Sequence, residues 1–538
     1  MQFSPSRPRW LLALLSRPIL VVVLLWLIST PLTLTKPITM DDTAYLDVAK
    51  VIIQHPASIM QSKIFLAGLW QNVAFVNQPH GFMWLLALVV SLGGQSTVAL
   101  HVITALFHLA AVLASVEFAR RSIPGMMIPI GLMTIFGPAF YPGINLMTDI
   151  PLLALSLWSV LLLAPSRGQR SWRHVVLAGI LASGALLMKY TALILIPVFC
   201  WELIRTKDRK IWVGIAIAGT VLLAWSVWTY SQYGHVHWLD RPADRRTLWL
   251  MILRLDDWMT ALGASVPFVW WWRPSFLTSG QRHNSLLGAI VTGIFISGLH
   301  AMVIDTTLMN VVLRAIFFST GTLAIVFAVR SWRHQDSHSR VALYPLGLWS
   351  VGVAVFTIAL SPFMAVRHVM LSVPFITLLF FLTTRISRRG LITATGLTVL
   401  LGSWLALSDW VWAKSFQTTA QQISKDYPAT KVWYLGHWGW QWYAEGEGFH
   451  PLEITMTGAH IGEPIAIPEI SLGITWNALG KMGFEEQKRY SPPGSAVTFL
   501  RAMQPSPKNG YYGNSWRGLP WTLTTDPLVT IFIFTRTE

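Results

Sequence analysis

The segment GFMWLLALVVSLGG, residues 81–94, decides on which side of a membrane the later part of the chain lies. It is apolar but only 14 residues long, whereas a helix needs roughly 20 mostly apolar residues to cross a bilayer. If the segment crosses, every later loop changes side. The distribution of basic residues decides between the two topologies, because loops on the cytoplasmic side carry the excess of Lys and Arg.

The basic residues favour a topology in which this segment does not cross. In that case 20 of the 40 Lys and Arg residues lie at the N-terminus or in inner loops. The membrane-region outer loops and the C-terminal region share the other half, whereas crossing would reverse the bias. We therefore predict that residues 81–94 lie along the outer surface of the membrane.

The other apolar runs predict a mostly α-helical, polytopic membrane protein with about 13 transmembrane helices. The N-terminal run lacks a small-residue cleavage site and is predicted to be a retained first helix. The predicted spans are near residues 18–35, 97–118, 123–141, 150–165, 175–188, 191–204, 211–230, 256–272, 285–303, 312–329, 341–360, 368–384 and 391–411.

Composition supports a membrane protein and argues against a nucleic-acid-binding one. Of 538 residues, 53% are hydrophobic and 12% are charged, with a mean hydropathy of +0.52; a soluble protein carries roughly 25% charged residues. The net charge of +16 is explained by basic loops that set topology, so no nucleic-acid partner is predicted. A single cysteine, Cys200, excludes an internal disulfide.

The chain changes character near residue 412, where apolar spans stop and Pro and Gly become more frequent. The runs KVWYLG (431–436) and VTIFIFTRT (529–537) have the β-branched and aromatic composition of strands. An odd number of spans places this region outside. We predict two domains: a transmembrane catalytic domain, residues 1–411 with the outer loop 36–96, and a soluble extracytoplasmic α/β domain, residues 412–538.

Few ionisable residues fall at the predicted outer ends of the helices, where groups near hydrocarbon are functional candidates. They are Asp41, Asp42, Asp47, Asp149, Lys189, Arg367 and His368, with Asp240, Asp244, Arg245 and Arg246 in the loop 231–255. Cations beside carboxylates at one membrane face suit a lipid-phosphate substrate: cations neutralise the phosphate, and a carboxylate accepts a proton from an attacking hydroxyl.

Each candidate also has a structural interpretation. Thr39-x-x-Asp42 fits a capping box, which assigns Asp42, and to a lesser extent Asp41, to the start of a helix. Asp149 precedes Pro151 at a predicted helix start. Lys189 is placed to snorkel to the lipid headgroups, and Arg367 to bind lipid phosphate non-specifically. Asp305 and Asp409 are interpreted as structural.

Four segments resemble the outer loops of GT-C membrane glycosyltransferases, in the branch of protein O-mannosyltransferases and the lipid A aminoarabinose transferase. MDDTAYLDVAK (40–50) is similar to their first outer loop, with an acidic pair followed by a Tyr. The other three, in the same order, are TDIPLLALSLW (148–158), LLMKYTALILIPV (186–198) and AVRHVMLSVPF (365–375). The order and spacing match across roughly residues 10–411.

The resemblance implies an inverting hexosyl- or pentosyltransferase of the inner membrane that uses a polyprenyl-phosphate sugar donor. It further implies Asp41 as general base, Asp149 as a second catalytic residue that positions substrate, and Lys189 and Arg367 as ligands of the donor phosphate. Asp42, Tyr45, Tyr190 and His368 complete the predicted substrate-binding set. Two departures leave the donor open: His368 stands where a Tyr is usual, and Asp42 where a Glu is common.

The acceptor is expected to be a hydroxyl of a glycan, a lipid or a protein, and membrane lipids are further partners. No cofactor is predicted with certainty, although a divalent metal ion is left open because His235, His237, His437 and His450 are potential ligands. The aromatic stretch YLGHWGWQWYAEGEG (434–448) is interpreted as core packing rather than as an acceptor site.

A transporter or flippase for a lipid-linked solute is the alternative function. Transporters place ionisable groups near mid-membrane in repeated halves, whereas here the carboxylates lie at helix ends and no internal repeat is evident. These features favour the enzyme.

Overall fold

A computed structural model describes most of the chain. The described residues are 17–164, 170–240, 247–304, 306–335, 337–361, 363–455, 458–469, 476–504, 509–513 and 518–537. Asp244, Arg245 and Arg246, the predicted structural Asp305, and the first two N-terminal arginines, Arg7 and Arg9, lie outside these residues.

Helices make up most of the chain. In chain order they are α1 Pro18–Leu34, α2 Asp42–Gln54, α3 Gly81–Gly93, α4 Thr97–Ser122, α5 Met127–Phe136, α6 Asp149–Leu163, α7 Trp172–Met188, α8 Leu195–Thr206, α9 Ile211–Tyr233, α10 Leu248–Ser265, α11 Ser279–Val303, α12 Leu308–His334, α13 Ser337–Leu360, α14 Val366–Val369, α15 Val373–Thr383, α16 Arg388–Asp426, α17 Gly439–Gly446 and α18 Trp476–Lys481.

The predicted polytopic, mostly α-helical class is confirmed, and each predicted span overlaps one of these helices. Among the described residues, six helical segments are long and apolar enough to cross a membrane on their own: α4, α9, α11, α12, Leu343–Leu360 within α13, and α16. Six further apolar helices have 10–17 residues. Helix α3, the segment that decides the topology, has 13 residues, about 20 Å at the helical rise, and packs on α2 and α4.

The C-terminal region contains the β structure that the sequence predicted. Its main sheet has five strands, in the order β4 (His450–Pro451), β3 (Trp433–Tyr434), β5 (Pro464–Pro468), β11 (Ile531–Arg536) and β6 (Phe484–Tyr490). Strand β11 pairs antiparallel with β5 and β6, while β3 is parallel to β4 and β5. Both predicted runs hold sheet strands, β3 and β11. The strands are β1 Lys63–Leu66, β2 Leu69–Asn72, β3 Trp433–Tyr434, β4 His450–Pro451, β5 Pro464–Pro468, β6 Phe484–Tyr490, β7 Leu500–Arg501, β8 Met503–Gln504, β9 Asn509–Gly510, β10 Thr522–Leu523 and β11 Ile531–Arg536.

One helix connects the two regions without a break. Helix α16 has 39 residues, about 58 Å at the helical rise, and continues well past residue 411. The predicted boundary between residues 411 and 412 therefore falls inside a helix, and the division into two domains stays a prediction.

Candidate active site

The loop that leads into α2 holds the two adjacent aspartates. Met40 has a φ of +48°, a left-handed conformation that is uncommon for a residue with a side chain. The N–H of Asp42 donates to the Thr39 carbonyl at 3.1 Å, and the N–H of Thr39 donates to Oδ2 of Asp42 at 3.0 Å. The loop is thereby closed into a tight turn, and Asp41 immediately precedes the first residue of the helix.

Asp42 forms half of the predicted capping box. Its carboxyl accepts a hydrogen bond from the Thr39 N–H. The other half is missing, because the Thr39 hydroxyl is buried and has no hydrogen-bond partner among the described residues. Burial raises the pKa of Asp42 to about 8, against the opposing influence of the Thr39 N–H and Lys36. Asp42 is therefore a buried, mostly protonated carboxyl that holds the turn, and its predicted place among the substrate-binding residues stays a prediction.

Four of the predicted residues form a continuous chain of charges. Oδ2 of Asp41 lies 3.1 Å from Nη1 of Arg367. The same Nη1 is 3.9 Å from Oδ2 of Asp149, and Oδ1 of Asp149 lies 2.6 Å from Nζ of Lys189. These residues come from the α2 loop, the start of α6, the end of α7 and the short helix α14. The fold thus joins segments that are up to 326 positions apart.

The four side chains differ in exposure. The Asp41 side chain is 34% exposed and Arg367 is 10% exposed, while Lys189 and Asp149 are 9% and 4% exposed. Arg367 also lies over the Phe363 ring, 5.4 Å from its centroid. The chain of charges therefore runs from a buried end at Lys189 to an accessible end at Asp41. We call these four residues the open cluster.

Tyr45 and His368 lie beside the open cluster and are buried. Tyr45 follows Asp41 by one helical turn, its N–H donates to the Asp41 carbonyl at 3.1 Å, and burial raises the pKa of its hydroxyl. The His368 ring packs against Phe363 with 5.3 Å between centroids. Its Nδ1 has no hydrogen-bond partner among the described residues. Both therefore contribute polar groups to the wall of the site.

Tyr190 makes its hydrogen bonds to residues outside the open cluster. Its hydroxyl hydrogen-bonds Nδ1 of His237 and accepts a bond from Nε1 of Trp225 at 2.9 Å. Nε2 of His237 lies 3.1 Å from the Val76 carbonyl, so Nε2–H is the donor there and Nδ1 accepts from Tyr190. Tyr190 thus holds His237, which links the loop after α9 to the first outer loop; its predicted role in substrate binding stays a prediction.

The C-terminal region reaches the site, which sequence reasoning did not predict. The carbonyl of Tyr511 accepts the N–H of Val366 at 3.2 Å, directly before Arg367. Its neighbour Tyr512 enters a second buried cluster with Lys36, Asn145 and Asp409. In the sequence, the two tyrosines stand in a Gly-Tyr-Tyr-Gly motif within a turn-rich stretch. This motif does not indicate a contact with residues so distant in sequence.

The aromatic stretch 434–448 packs on the Asp41 loop. Tyr443 accepts the Ile38 N–H at 2.9 Å, and the Trp438 carbonyl accepts from the Thr43 hydroxyl at 2.7 Å. At Gly439 a Cβ atom would lie 2.6 Å from the Ile38 carbonyl oxygen, so only glycine fits this contact. Trp440 is fully buried. Packing of this kind agrees with the interpretation of the stretch as core.

A metal site is not evident among the residues that the structure describes. Within the described part of the chain, no group of three or more His, Cys, Asp or Glu side chains is arranged to hold one. Asp41 and Asp149 are both paired with cations. Of the histidines left open as ligands, His237 bonds Tyr190 and His437 packs on the Trp438 ring at 4.1 Å.

Comparison with known families gives one match. Residues 77–228 match the family described as dolichyl-phosphate-mannose-protein mannosyltransferase. The matched segment contains Asp149, Lys189 and Tyr190, while Asp41 and Arg367 lie outside it. Over this segment the match agrees with the predicted resemblance to protein O-mannosyltransferases. A search of curated proteins gives no match.

Solved structures with a similar course of the chain are also known. ArnT from Cupriavidus metallidurans in the apo state is 13% identical with a TM-score of 0.42, covering 97% of both chains. Arabinofuranosyltransferase AftD from Mycobacteria is 13% identical with a TM-score of 0.37, covering 99% of this chain and 40% of that one. The archaeal oligosaccharyltransferase AglB from Archaeoglobus fulgidus is 12% identical with a TM-score of 0.35, covering 89% and 74%. Scores this low carry no inference about function.

Proposed function

We propose that the protein is an integral membrane glycosyltransferase that moves a sugar from a polyprenyl-phosphate donor to a hydroxyl acceptor, with inversion of the anomeric centre. The observation that carries the proposal is the open cluster, in which two cations and two carboxylates alternate from a buried to an accessible end. The family match to mannosyltransferases that use dolichyl phosphate mannose supports a lipid-linked donor.

Lys189 and Arg367 are the proposed ligands of the donor phosphate. Both approach Asp149, at 2.6 Å and 3.9 Å, so this carboxylate orients the two cations. Charge-assisted hydrogen bonds from Arg and Lys to phosphate are among the strong ones in proteins. As the sugar leaves, negative charge accumulates on the phosphate oxygen, and fixed cations in a largely buried site stabilise that charge.

Asp41 is the proposed general base. Its side chain is the most exposed of the four, so an acceptor can reach it. Its partner Arg367 is the cation that would bind the donor phosphate, so donor binding would free the Asp41 carboxylate for the acceptor. The acceptor oxygen then attacks the anomeric carbon, Asp41 takes the hydroxyl proton, and the bond to the phosphate oxygen breaks. The lipid phosphate leaves with the electron pair.

The side of the membrane on which we place the site is inferred from the distribution of basic residues. The basic residues of the sequence concentrate in the loops opposite the open cluster, which supports an extracytoplasmic site in the inner membrane. We further propose that residues 412–538 form an extracytoplasmic domain that covers the site, since residues Tyr511, Trp438 and Tyr443 contact the segments carrying Arg367 and Asp41. The acceptor is a hydroxyl of a glycan, a lipid or a protein.

The test is release of prenyl phosphate by the purified full-length protein in nanodiscs, with a panel of polyprenyl-phosphate sugars and hydroxyl acceptors. The proposal predicts release with at least one donor and its loss in Asp41→Asn. Asp47→Asn is a matched control, because Asp47 lies on the same helix and pairs with Lys50 outside the cluster.

A second measurement separates the enzyme from a transporter. Arg367→Gln and Lys189→Gln should each weaken binding of polyprenyl phosphate by about tenfold or more, because each removes a charge-assisted hydrogen bond. Movement of an intact lipid-linked sugar across the bilayer, with no release of prenyl phosphate from any donor, would contradict the proposal.

A further inference from the structure

A cavity of about 710 Å³ with a mixed polar and apolar lining lies between α11 and α12. Helix α12 begins beside the C-terminal region, where the Thr522 hydroxyl donates to Asn310 at 2.9 Å. It ends at His334, about 36 Å further along the helix axis. The cavity lies at that far end, lined by Phe276, Leu277, Gln281, Asn284, Ser285, Gly288, Ala289, Thr292, Thr322, Val326, Arg330, Arg333 and His334.

The cavity is on the opposite side of the helix bundle from the open cluster. The same C-terminal region that contacts the start of α12 also contacts Val366, next to Arg367. The start of α12 and the open cluster therefore share one end of the bundle, and the end of α12 is at the other. A ligand of this cavity would not touch Asp41, Asp149, Lys189 or Arg367.

The cavity is positively charged. Arg330 and Arg333 both line it, and the lining includes no Asp or Glu. Nη1 of Arg330 donates to the Ser285 hydroxyl at 3.0 Å, which fixes the guanidinium against α11. Neither arginine forms an ion pair with any residue in the part of the chain that the structure describes. Two cations without a carboxylate partner, held beside a cavity, make a receptor for an anion.

The rest of the lining is suited to a hydroxyl-bearing group. Gln281, Asn284 and Thr292 supply amide and hydroxyl groups along α11. Above them, the outer face of α11 is apolar, with Leu287, Val291 and Ile294 between 53% and 60% exposed. Apolar side chains this exposed on a helix that meets the requirements for a membrane span are positioned to contact acyl chains.

We propose that this cavity binds the head group of an anionic glycerophospholipid with a hydroxyl-bearing head, of the phosphatidylglycerol type. The phosphate lies between Arg330 and Arg333, the head-group hydroxyls meet Gln281 and Asn284, and the acyl chains follow the apolar face of α11. Basic pockets between transmembrane helices are typical sites for acidic phospholipids. The proposal is independent of the transferase reaction, since none of its residues belongs to the open cluster.

The test is native mass spectrometry of the full-length protein released from detergent, titrated with phosphatidylglycerol or with phosphatidylcholine of the same acyl chains. We expect one phosphatidylglycerol to be retained at concentrations where phosphatidylcholine is lost. The double variant Arg330→Gln/Arg333→Gln should weaken that retention at least tenfold. Lys207→Gln/Arg209→Gln is the matched control, because it removes two exposed charges from the loop between α8 and α9, on the same side of the bundle.

Three results would overturn the proposal. Equal retention of the two lipids by the wild-type protein would show that no acidic head group is recognised. Equal loss in the control variant would show that charge at this face, not the cavity, attracts the lipid. Displacement of the lipid by soluble glycerol phosphate at equal concentration would show that the ligand is a free phosphate ester. Thermal unfolding of each variant without lipid checks that both remain folded.

Discussion

Two buried clusters of this protein use the same types of side chain and differ in what they leave accessible. In the second cluster, which we call the closed cluster, Nζ of Lys36 contacts Oδ2 of Asp409 at 2.6 Å, the Pro142 carbonyl at 2.6 Å and the Tyr512 hydroxyl at 3.1 Å. All three N–H bonds of the ammonium group thus have an oxygen acceptor. Lys36 and Asp409 are 5% and 0% exposed.

The Tyr512 hydroxyl is equally occupied in the closed cluster. It donates to Asp409 at 2.7 Å and accepts from Asn145 at 2.7 Å. In the open cluster, by contrast, Asp41 has a third of its side chain exposed, and Arg367 is shared between two carboxylates at 3.1 Å and 3.9 Å. A buried ion pair whose ammonium group has an acceptor for each N–H holds the chain together, whereas one with an accessible end and a shared cation can exchange partners. The two clusters should therefore respond to mutation in opposite ways.

The largest expected effect is on activity, in Asp41→Asn. Loss of a general base should lower the rate of prenyl-phosphate release by about 10²–10⁴-fold. The melting temperature should change little, because an ion pair with a partly exposed carboxylate contributes little to stability. Turnover assays and thermal unfolding of the same preparation check both parts. A variant that is inactive because it is unfolded would show that Asp41 is structural.

The opposite pattern is expected in the closed cluster. Asp409→Asn leaves the Lys36 ammonium group buried without its counter-charge, which costs about 3–5 kcal/mol of stability. The protein that remains folded should transfer sugar at close to the wild-type rate. Thermal unfolding in nanodiscs and turnover per folded molecule are the measurements. A loss of turnover equal to that of Asp41→Asn, at unchanged stability, would place Asp409 in the catalytic machinery.

Tyr512→Phe is a milder test of the same cluster. It removes the hydroxyl that donates to Asp409 and leaves Asn145 without its acceptor, so we expect a loss of about 1–3 kcal/mol. The same measurement on Tyr511→Phe, which loses a bond to the Ala139 carbonyl, gives a neighbouring reference. Unchanged stability in Tyr512→Phe would mean that the closed cluster does not hold the C-terminal region.

The last expected effect is a pH dependence of stability that originates at Asp42. Because burial raises its folded-state pKa to about 8 from an ordinary value of 3.8, the folded state binds the proton more tightly than the unfolded state. The stability that this proton contributes is complete below about pH 4 and is lost as the pH rises to about 8. Asp42→Asn has no such loss. The difference between its melting temperature and that of the wild type should therefore shift in favour of the variant as the pH rises from 5 to 8.

Above pH 8 the two melting curves should run parallel. Thermal unfolding of the wild type and of Asp42→Asn at half-unit pH intervals checks the prediction. Parallel curves across the whole range would mean that Asp42 is ionised in the folded protein at neutral pH.

The helices and the composition of the open cluster were predictable from the sequence, because both leave local signals. Apolar runs mark the spans, and charged residues at the ends of such runs are rare enough to identify Asp41, Asp149, Lys189 and Arg367 as a set. The capping role of Asp42 followed from its spacing from Thr39. The β-branched and aromatic run ending in Thr537 marked β11.

Contacts that depend on tertiary structure were not predictable. Tyr190 adjoins Lys189 in sequence, yet its hydroxyl is occupied by His237, 47 positions away. Tyr512 meets Lys36 across 476 positions, and no property of either sequence neighbourhood indicates it. The end of α16 was placed near residue 411 because the apolar run stops there, but helix propagation does not require apolar residues, and the helix continues to Asp426.

The place of Tyr511 and Tyr512 also determines the order in which the protein matures. Ribosomes deliver α1 to α16, and with them every residue of the open cluster, before either tyrosine is made. The helices can therefore enter the membrane while the backbone before Arg367 lacks its bond to Tyr511 and Lys36 lacks the Tyr512 hydroxyl. Assembly of the site is in this respect a late step of biosynthesis, which waits for the C-terminal region to fold back onto helices already in place.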